Sequence, residues 1–306
     1  MYNGIINVYK EKGFTSHDVV AKLRGILKQK KIGHTGTLDP DAEGVLPVCL
    51  GNGTKLCDMI TDRTKTYEAV LRFGIDTDTQ DISGKIMHKF DDEEAMRLRA
   101  SDEDIREAVY SFAGDYEQLP PMYSAVKING RRLYEIAREG GEIERKTRLV
   151  HIYSIQISEI DFPRMKLCVE CSKGTYIRTL CKDIGDKLGI FGCMEELKRV
   201  KAGPFLIEDA MKLDFIEEAV KKDIFDRYVI SIEKMFEDYR SVSVKEDFDK
   251  ILLNGNPINI HMLKQTNLDL KKDEAFKVCD SRDRFRAVYT YDSSKNRLKP
   301  YKMFQI

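Results

Sequence analysis

Gly33-His34-Thr35-Gly36-Thr37-Leu38-Asp39-Pro40, continuing to Gly44, carries three glycines and a proline within twelve residues. That density fixes a backbone in tight turns, where φ can be positive or another segment can approach closely. Within Gly33–Pro40 the side chains so presented are one imidazole, two hydroxyls and one carboxylate, Asp39. A serine triad is not supported, because no Ser is near His34 in sequence and no G-x-S-x-G elbow exists in the chain. One His and one Asp are too few ligands for a metal, and the Gly-Lys-Ser/Thr element of a phosphate loop is absent. On composition alone the loop reads equally well as a structural turn.

A second cluster, Lys173-Gly174-Thr175-Tyr176-Ile177-Arg178-Thr179-Leu180, joins the strand ending at Cys171 to a following helix. It places an aromatic ring and a guanidinium where a strand ends and a helix begins. An arginine is a poor choice for a core but a good partner for a carboxylate, which it keeps ionised by lowering its pKa.

Outward from these clusters the chain is a globular α+β pattern. Its 306 residues are 42% hydrophobic, enough for one large domain or a large and a small one. Ser16 and Ser101 are placed to cap helices carrying Val19, Val20, Leu23 and Leu27, and Ile105, Val109 and Phe112; Leu180, Ile184 and Leu188 mark a third. Strands are expected over Tyr67–Phe73, Ile152–Ile157, Lys166–Cys171 and around Leu197. The segment 209–240 is polar and helical in character. After it come Ser241–Val244, the turn signal Asn254-Gly255-Asn256-Pro257, and short strands at Phe276–Val278, Phe285–Tyr291 and Leu298–Phe304. The division expected is a domain over 1–240 and a small all-β unit over 241–306.

The 51 Lys+Arg balance 51 Asp+Glu, so a polyanionic partner would be met by local patches. Val8–His34 holds seven bases and two acids, Lys173–Lys201 seven and four, and 262–306 eleven and six, whereas Asp91–Glu117 holds ten acids and three bases. Candidate phosphate contacts are Lys10, Lys127, Arg131, Arg132, Lys173, Lys198 and Arg199. Seven cysteines in a chain of this size suit free thiols, and the Cys168/Cys171 pair, three apart on a strand, points to opposite faces. No membrane span and no secretory signal are read, so a cytoplasmic protein is expected.

Together these residues resemble the TruB family of tRNA pseudouridine synthases, which isomerise uridine 55 in the T loop. G-H-T-G-T-L-D-P is that family's signature without a mismatch, and its nucleophilic aspartate falls on Asp39. Lys10 with Gly13-Phe14-Thr15-Ser16, Lys65-Thr66-Tyr67, Thr77-Asp78-Thr79 with Asp81 and Gly84, Gln118-Leu119-Pro120-Pro121, Tyr123–Lys127 and Leu197-Lys198-Arg199 extend the match. Glu11, Glu43 and Lys198 depart from the residues usual there. The resemblance implies a pseudouridine synthase catalytic domain with a mixed central sheet, followed by a PUA-like domain. It also implies Asp39, Arg178 and Tyr67 as catalytic residues, and His34, Tyr67, Tyr176 and Leu197 around the substrate base. The reaction neither changes oxidation state nor imports a group, so no cofactor and no metal are expected. The partner expected is the T arm of tRNA, without an obligate protein partner, for a monomer. The alternative is a non-catalytic RNA-binding or tRNA-folding protein on the same fold.

Overall fold

Alternation along Lys65–Phe73 turns Tyr67, Ala69, Leu71 and Phe73 inward and leaves Glu68 exposed, the pattern of a strand with one covered face. In the computed structural model, which describes residues 1–265 and 268–304, this strand lies in the middle of a nine-stranded sheet. The order runs Gly4–Lys10, Glu43–Leu50, Gly192–Ala202, Lys65–Phe73, Arg164–Cys171, Arg148–Asp161 and Gly114–Gln118. Ile32–His34 adds to Glu43–Leu50, and Phe205–Leu206 to Gly192–Ala202. One pairing is parallel, where Lys198 and Arg199 of Gly192–Ala202 lie against Glu43 and Gly44; the rest are antiparallel. The sheet is therefore mixed, as expected, and the stretch around Leu197 is a full strand.

The helices Asp102–Tyr110 and Ile177–Leu188 close the Tyr67 face, with Ile105, Val109, Leu180 and Ile184 packed among Leu71, Phe73 and Leu167. Ser101 caps the first, accepting from the Asp104 N–H at 3.1 Å. The second stops at Gly189, whose φ of 72° is the left-handed cap that glycine adopts without strain. A separate cluster packs Ser16–Ile26 and Leu213–Lys221 on Ile6, Val8, Leu46 and Val48.

Two local readings change. Thr15, not Ser16, caps the Ser16–Ile26 helix, because Asp18 falls three residues after Thr15 and completes a capping box. The 209–240 segment contains one helix, Leu213–Lys221, and otherwise short turns, and its apolar Phe225, Ile232 and Phe236 are buried.

The C-terminal strands form a second, five-stranded sheet in the order Arg240–Ser243, Ala275–Cys279, Phe285–Asp292, Arg297–Met303 and Ile258–Asn259. Val242, Phe276, Val278, Tyr289 and Leu298 build its own core. Cys279, Phe285, Val288 and Phe304 instead pack with Ile5, Val45, Cys49 and Phe236. Lys55 Nζ donates to the Met303 carbonyl at 2.8 Å, and Lys302 Nζ to Asp58 at 2.6 Å. The small sheet is thus docked on the segment that follows Glu43–Leu50. All seven cysteines are free thiols. No helix among the described residues is long and apolar enough to cross a membrane.

Because Phe236 joins both sheets, Phe236→Ala is expected to cost about 3–5 kcal/mol while leaving one cooperative transition. Calorimetry checks this; an early, separate melting of the C-terminal sheet would contradict the shared core.

Candidate active site

The glycine-framed loop is held from below by groups that arrive from other elements. Thr35 N–H and Oγ1 both donate to the Pro47 carbonyl, at 3.1 and 3.2 Å. Ser16 Oγ accepts the Leu38 N–H at 2.9 Å, which is the use the structure finds for the hydroxyl next to the helix cap. Lys10 Nζ donates to the carbonyls of Glu11, Pro40 and Ala42 at 3.2, 3.1 and 2.6 Å. Gly44, at φ 108°, lies against the neighbouring strand so closely that an added Cβ would stand 2.2 Å from the Arg199 carbonyl oxygen. Only glycine combines that torsion with that approach.

The result is a fixed position for Asp39. Arg178, in the first turn of Ile177–Leu188, meets it with both arms of the guanidinium: Nε to Oδ2 at 3.0 Å and Nη2 to Oδ1 at 3.3 Å. The remaining donors are occupied by the Thr79 carbonyl at 3.0 Å, the Tyr123 carbonyl at 2.9 Å and Asp81 Oδ2 at 3.4 Å. The Arg178 side chain is 5% exposed and that of Asp39 is 37% exposed. The cation is sealed beneath and the carboxylate faces outward, an oriented anion with one open side.

Burial pushes the Asp39 carboxyl above its ordinary value, and Arg178 is the strongest influence pulling it back. The sequence reading held that arginine lowers this pKa; the pull is present, but desolvation outweighs it. Asp81, which also raises it, was quoted only as part of a motif and not as a site residue. Its signal was the acid-rich run Asp76–Asp81 directly after a strand.

Tyr67 is buried beside this pair, its phenol pushed up by burial, and it shares a cluster with Leu38 and Leu197. Tyr176 is clamped by Gln118, which accepts the Tyr176 N–H at 2.7 Å and donates to its carbonyl at 2.9 Å. Burial raises the Tyr176 phenol too. Gln118, read in sequence only as motif, therefore fixes the backbone of Tyr176. His34 ends the strand Ile32–His34, with its ring edge-on to His17 at 5.3 Å between centroids. Burial, then His17 and Arg199, bring its pKa down to about 4, so at neutral pH it is an uncharged ring.

The arrangement is a single carboxylate oriented by a buried guanidinium, and known proteins have similar sequences. The family model described as TruB family pseudouridylate synthase, N-terminal domain, matches residues 24–177, and that of the tRNA pseudouridylate synthase B C-terminal domain matches 178–237. The tRNA pseudouridine synthase B of Lachnoclostridium phytofermentans is 49% identical, covering 99% of each chain. That of Staphylococcus aureus is 43% identical over 99% of this chain and all of the relative. The chain belongs to the TruB family. It is a pseudouridine synthase, an isomerase. Among solved structures, a Cbf5-Nop10-Gar1 complex superposes with a TM-score of 0.72 at 26% identity, covering 99% of this chain and 85% of the other. The α+β class, with a C-terminal PUA-like all-β unit, agrees with that likeness.

Of the seven cations read as phosphate contacts, five reach the surface of this TruB-family fold. Lys127 is exposed; Lys173 pairs with Asp62 at 2.8 Å, Arg131 with Glu139 at 2.6 Å, and Lys198 with Glu43 at 3.8 Å. Arg132 donates to the Tyr134 hydroxyl at 2.7 Å. The other two are corrections. Lys10 is 0% exposed and Arg199 1% exposed, each consumed by backbone carbonyls, so neither can reach a phosphate in this fold. Enclosure also brings the Lys10 ammonium down to about 8.

Gly44→Ala meets both a positive φ and a backbone clash, whereas Gly174→Ala meets only the torsion, at φ 81° with open space around it. The first is expected to lose about 2–5 kcal/mol and the second about 1–2 kcal/mol. Denaturant melts of the two variants decide it; equal losses would mean that the approach to Arg199 is relaxed.

Proposed function

We propose that this chain isomerises uridine to pseudouridine at position 55 in the T loop of tRNA, with Asp39 as the nucleophile. The observation that carries the reading is the two-armed Arg178–Asp39 pair, which holds one carboxylate as an oriented anion facing the open side of the loop. The relatives' shared name, tRNA pseudouridine synthase B, supports tRNA as the substrate.

A stacked or paired uridine cannot offer C1′ or C5 to a protein side chain, so the nucleotide turns out into the site at a cost of a few kcal/mol. Tyr67 and Tyr176 supply faces for the extruded uracil, and Leu197 closes on it from the sheet. His34, uncharged, takes the space that the base vacates. The glycosidic C1′–N1 bond then breaks, the uracil rotates while held, and C5 joins C1′; C5 gives up its proton and N1 gains one, so the product is an isomer of the substrate. Attack at C1′, attack on the ring and proton abstraction toward a glycal all begin from the same requirement, an ionised Asp39 in a fixed direction. Arg178 meets it by fork geometry and charge. The isomerisation is redox-neutral and needs no imported group, so it calls for no cofactor; the reading is of a cytoplasmic monomer that acts without an obligate protein partner.

Lys127, Arg131, Arg132, Lys173 and Lys198 provide phosphate contacts around the splayed loop. Residues 241–306 act as an auxiliary RNA-contacting unit, fixed on the catalytic residues 1–240 by the shared Phe236 core.

The test is incubation of the purified protein with unmodified tRNA transcript, followed by mapping of pseudouridine. Asp39→Asn is expected to lose activity by about 10⁴-fold or more while still binding the transcript. A near wild-type rate for that variant, or product at another position, would overturn the reading.

A further inference from the structure

Arg199 is the largest side chain among the fully buried described residues, and no carboxylate pairs with it among them. A buried cation without a counter-ion is costly, and an apolar side chain of similar volume would fill the same space more cheaply. Its contacts show what the guanidinium provides. Nε donates to the Val45 carbonyl at 2.7 Å and Nη2 to the Gly36 carbonyl at 3.3 Å. Register places Arg199 opposite Tyr67 on one neighbouring strand and opposite Gly44 on the other. One planar group therefore touches the start of the catalytic loop and the strand that follows it, from a position paired with the buried aromatic.

We propose that Arg199 is a positioning residue of the isomerisation, fixing the Tyr67 ring and the Gly36 turn in one relative placement across two strands. This rests on the reading above, in which Tyr67 faces the extruded uracil and Asp39 acts on that nucleotide. A guanidinium presents its donors in a fixed planar fork that meets both carbonyls at once, whereas an ammonium is a point donor without that geometry. A misplacement of about 1 Å between reacting groups can cost 10²-fold in rate, so the bridge acts on chemistry and not on tRNA affinity.

The experiment uses full-length protein with Arg199→Lys and Arg199→Met, each made in the wild-type and Tyr67→Phe backgrounds. Single-turnover rates at saturating transcript are measured beside transcript binding over a range of salt. The expected result is a rate about 10²-fold lower for Arg199→Met, less for Arg199→Lys, with affinity and salt slope unchanged. In the Tyr67→Phe background the same substitutions should cost less than in the wild type, because Tyr67 is one of the two groups that Arg199 places.

Weaker binding with a salt slope flattened by about 0.7–0.9 and an unchanged rate would make Arg199 a phosphate contact and overturn the proposal. So would equal rate losses in both Tyr67 backgrounds, which describe packing alone. An Arg199→Lys protein that does not fold would overturn it too, since the side chain would then serve folding. Failure of the reading beneath it is separately visible: wild-type protein would form no pseudouridine, and the proposal would fall with it.

Discussion

The Arg178–Asp39 pair ties together four segments that are distant in sequence. The carboxylate comes from the glycine-framed loop, the guanidinium from the first turn of a helix, and the other acceptors from Thr79, Asp81 and Tyr123. Taking a guanidinium out of water costs several kcal/mol unless its donors are matched, and here each arm meets an oxygen. Removing one partner would leave an uncompensated charge, typically a loss of 3–5 kcal/mol. The loops around the site are therefore held to the helix by a requirement that none of them could satisfy alone.

What surrounds the pair serves to keep it in place and open on one side. Lys10 gathers the carbonyls of the turn after Asp39, Ser16 fixes Leu38, and Gly44 lets the loop return flush against the Arg199 backbone. Gln118 holds Tyr176 at both its N–H and its carbonyl, one residue before the helix that carries Arg178. Desolvation raises the Asp39 carboxyl while Arg178 draws it down, so enclosure and ion pairing act in opposite directions on the one carboxylate that faces the opening.

The parts legible in the sequence were those that a local pattern or a familiar motif announces: the glycine loop, the helix carrying Arg178, the central strand and the short C-terminal strands. Asp81 was not legible as a site residue because its partner lies 97 residues further along the chain. Lys10 and Arg199 were misread as surface cations although strand parity pointed inward. Lys10 is two residues beyond the buried Val8, and Arg199 two beyond the buried Leu197, so each shares the covered face. Charge outweighed position in that reading. The core shared by the two sheets had no sequence signal either, since Phe285 and Phe304 alternate as they would in an isolated small sheet.

Single-turnover rate against pH, for wild type and Arg178→Lys, tests the central claim most directly. Chemistry needs the ionised carboxylate, and burial raises Asp39, so the wild-type rate should fall on the acid side around a midpoint above the ordinary 3.8. The lysine variant loses the fork: its plateau should drop steeply, its acid midpoint should rise further, and its tRNA affinity should hold. An unchanged plateau and midpoint with weakened tRNA binding would show that Arg178 serves the phosphate backbone, and that Asp39 does not depend on it.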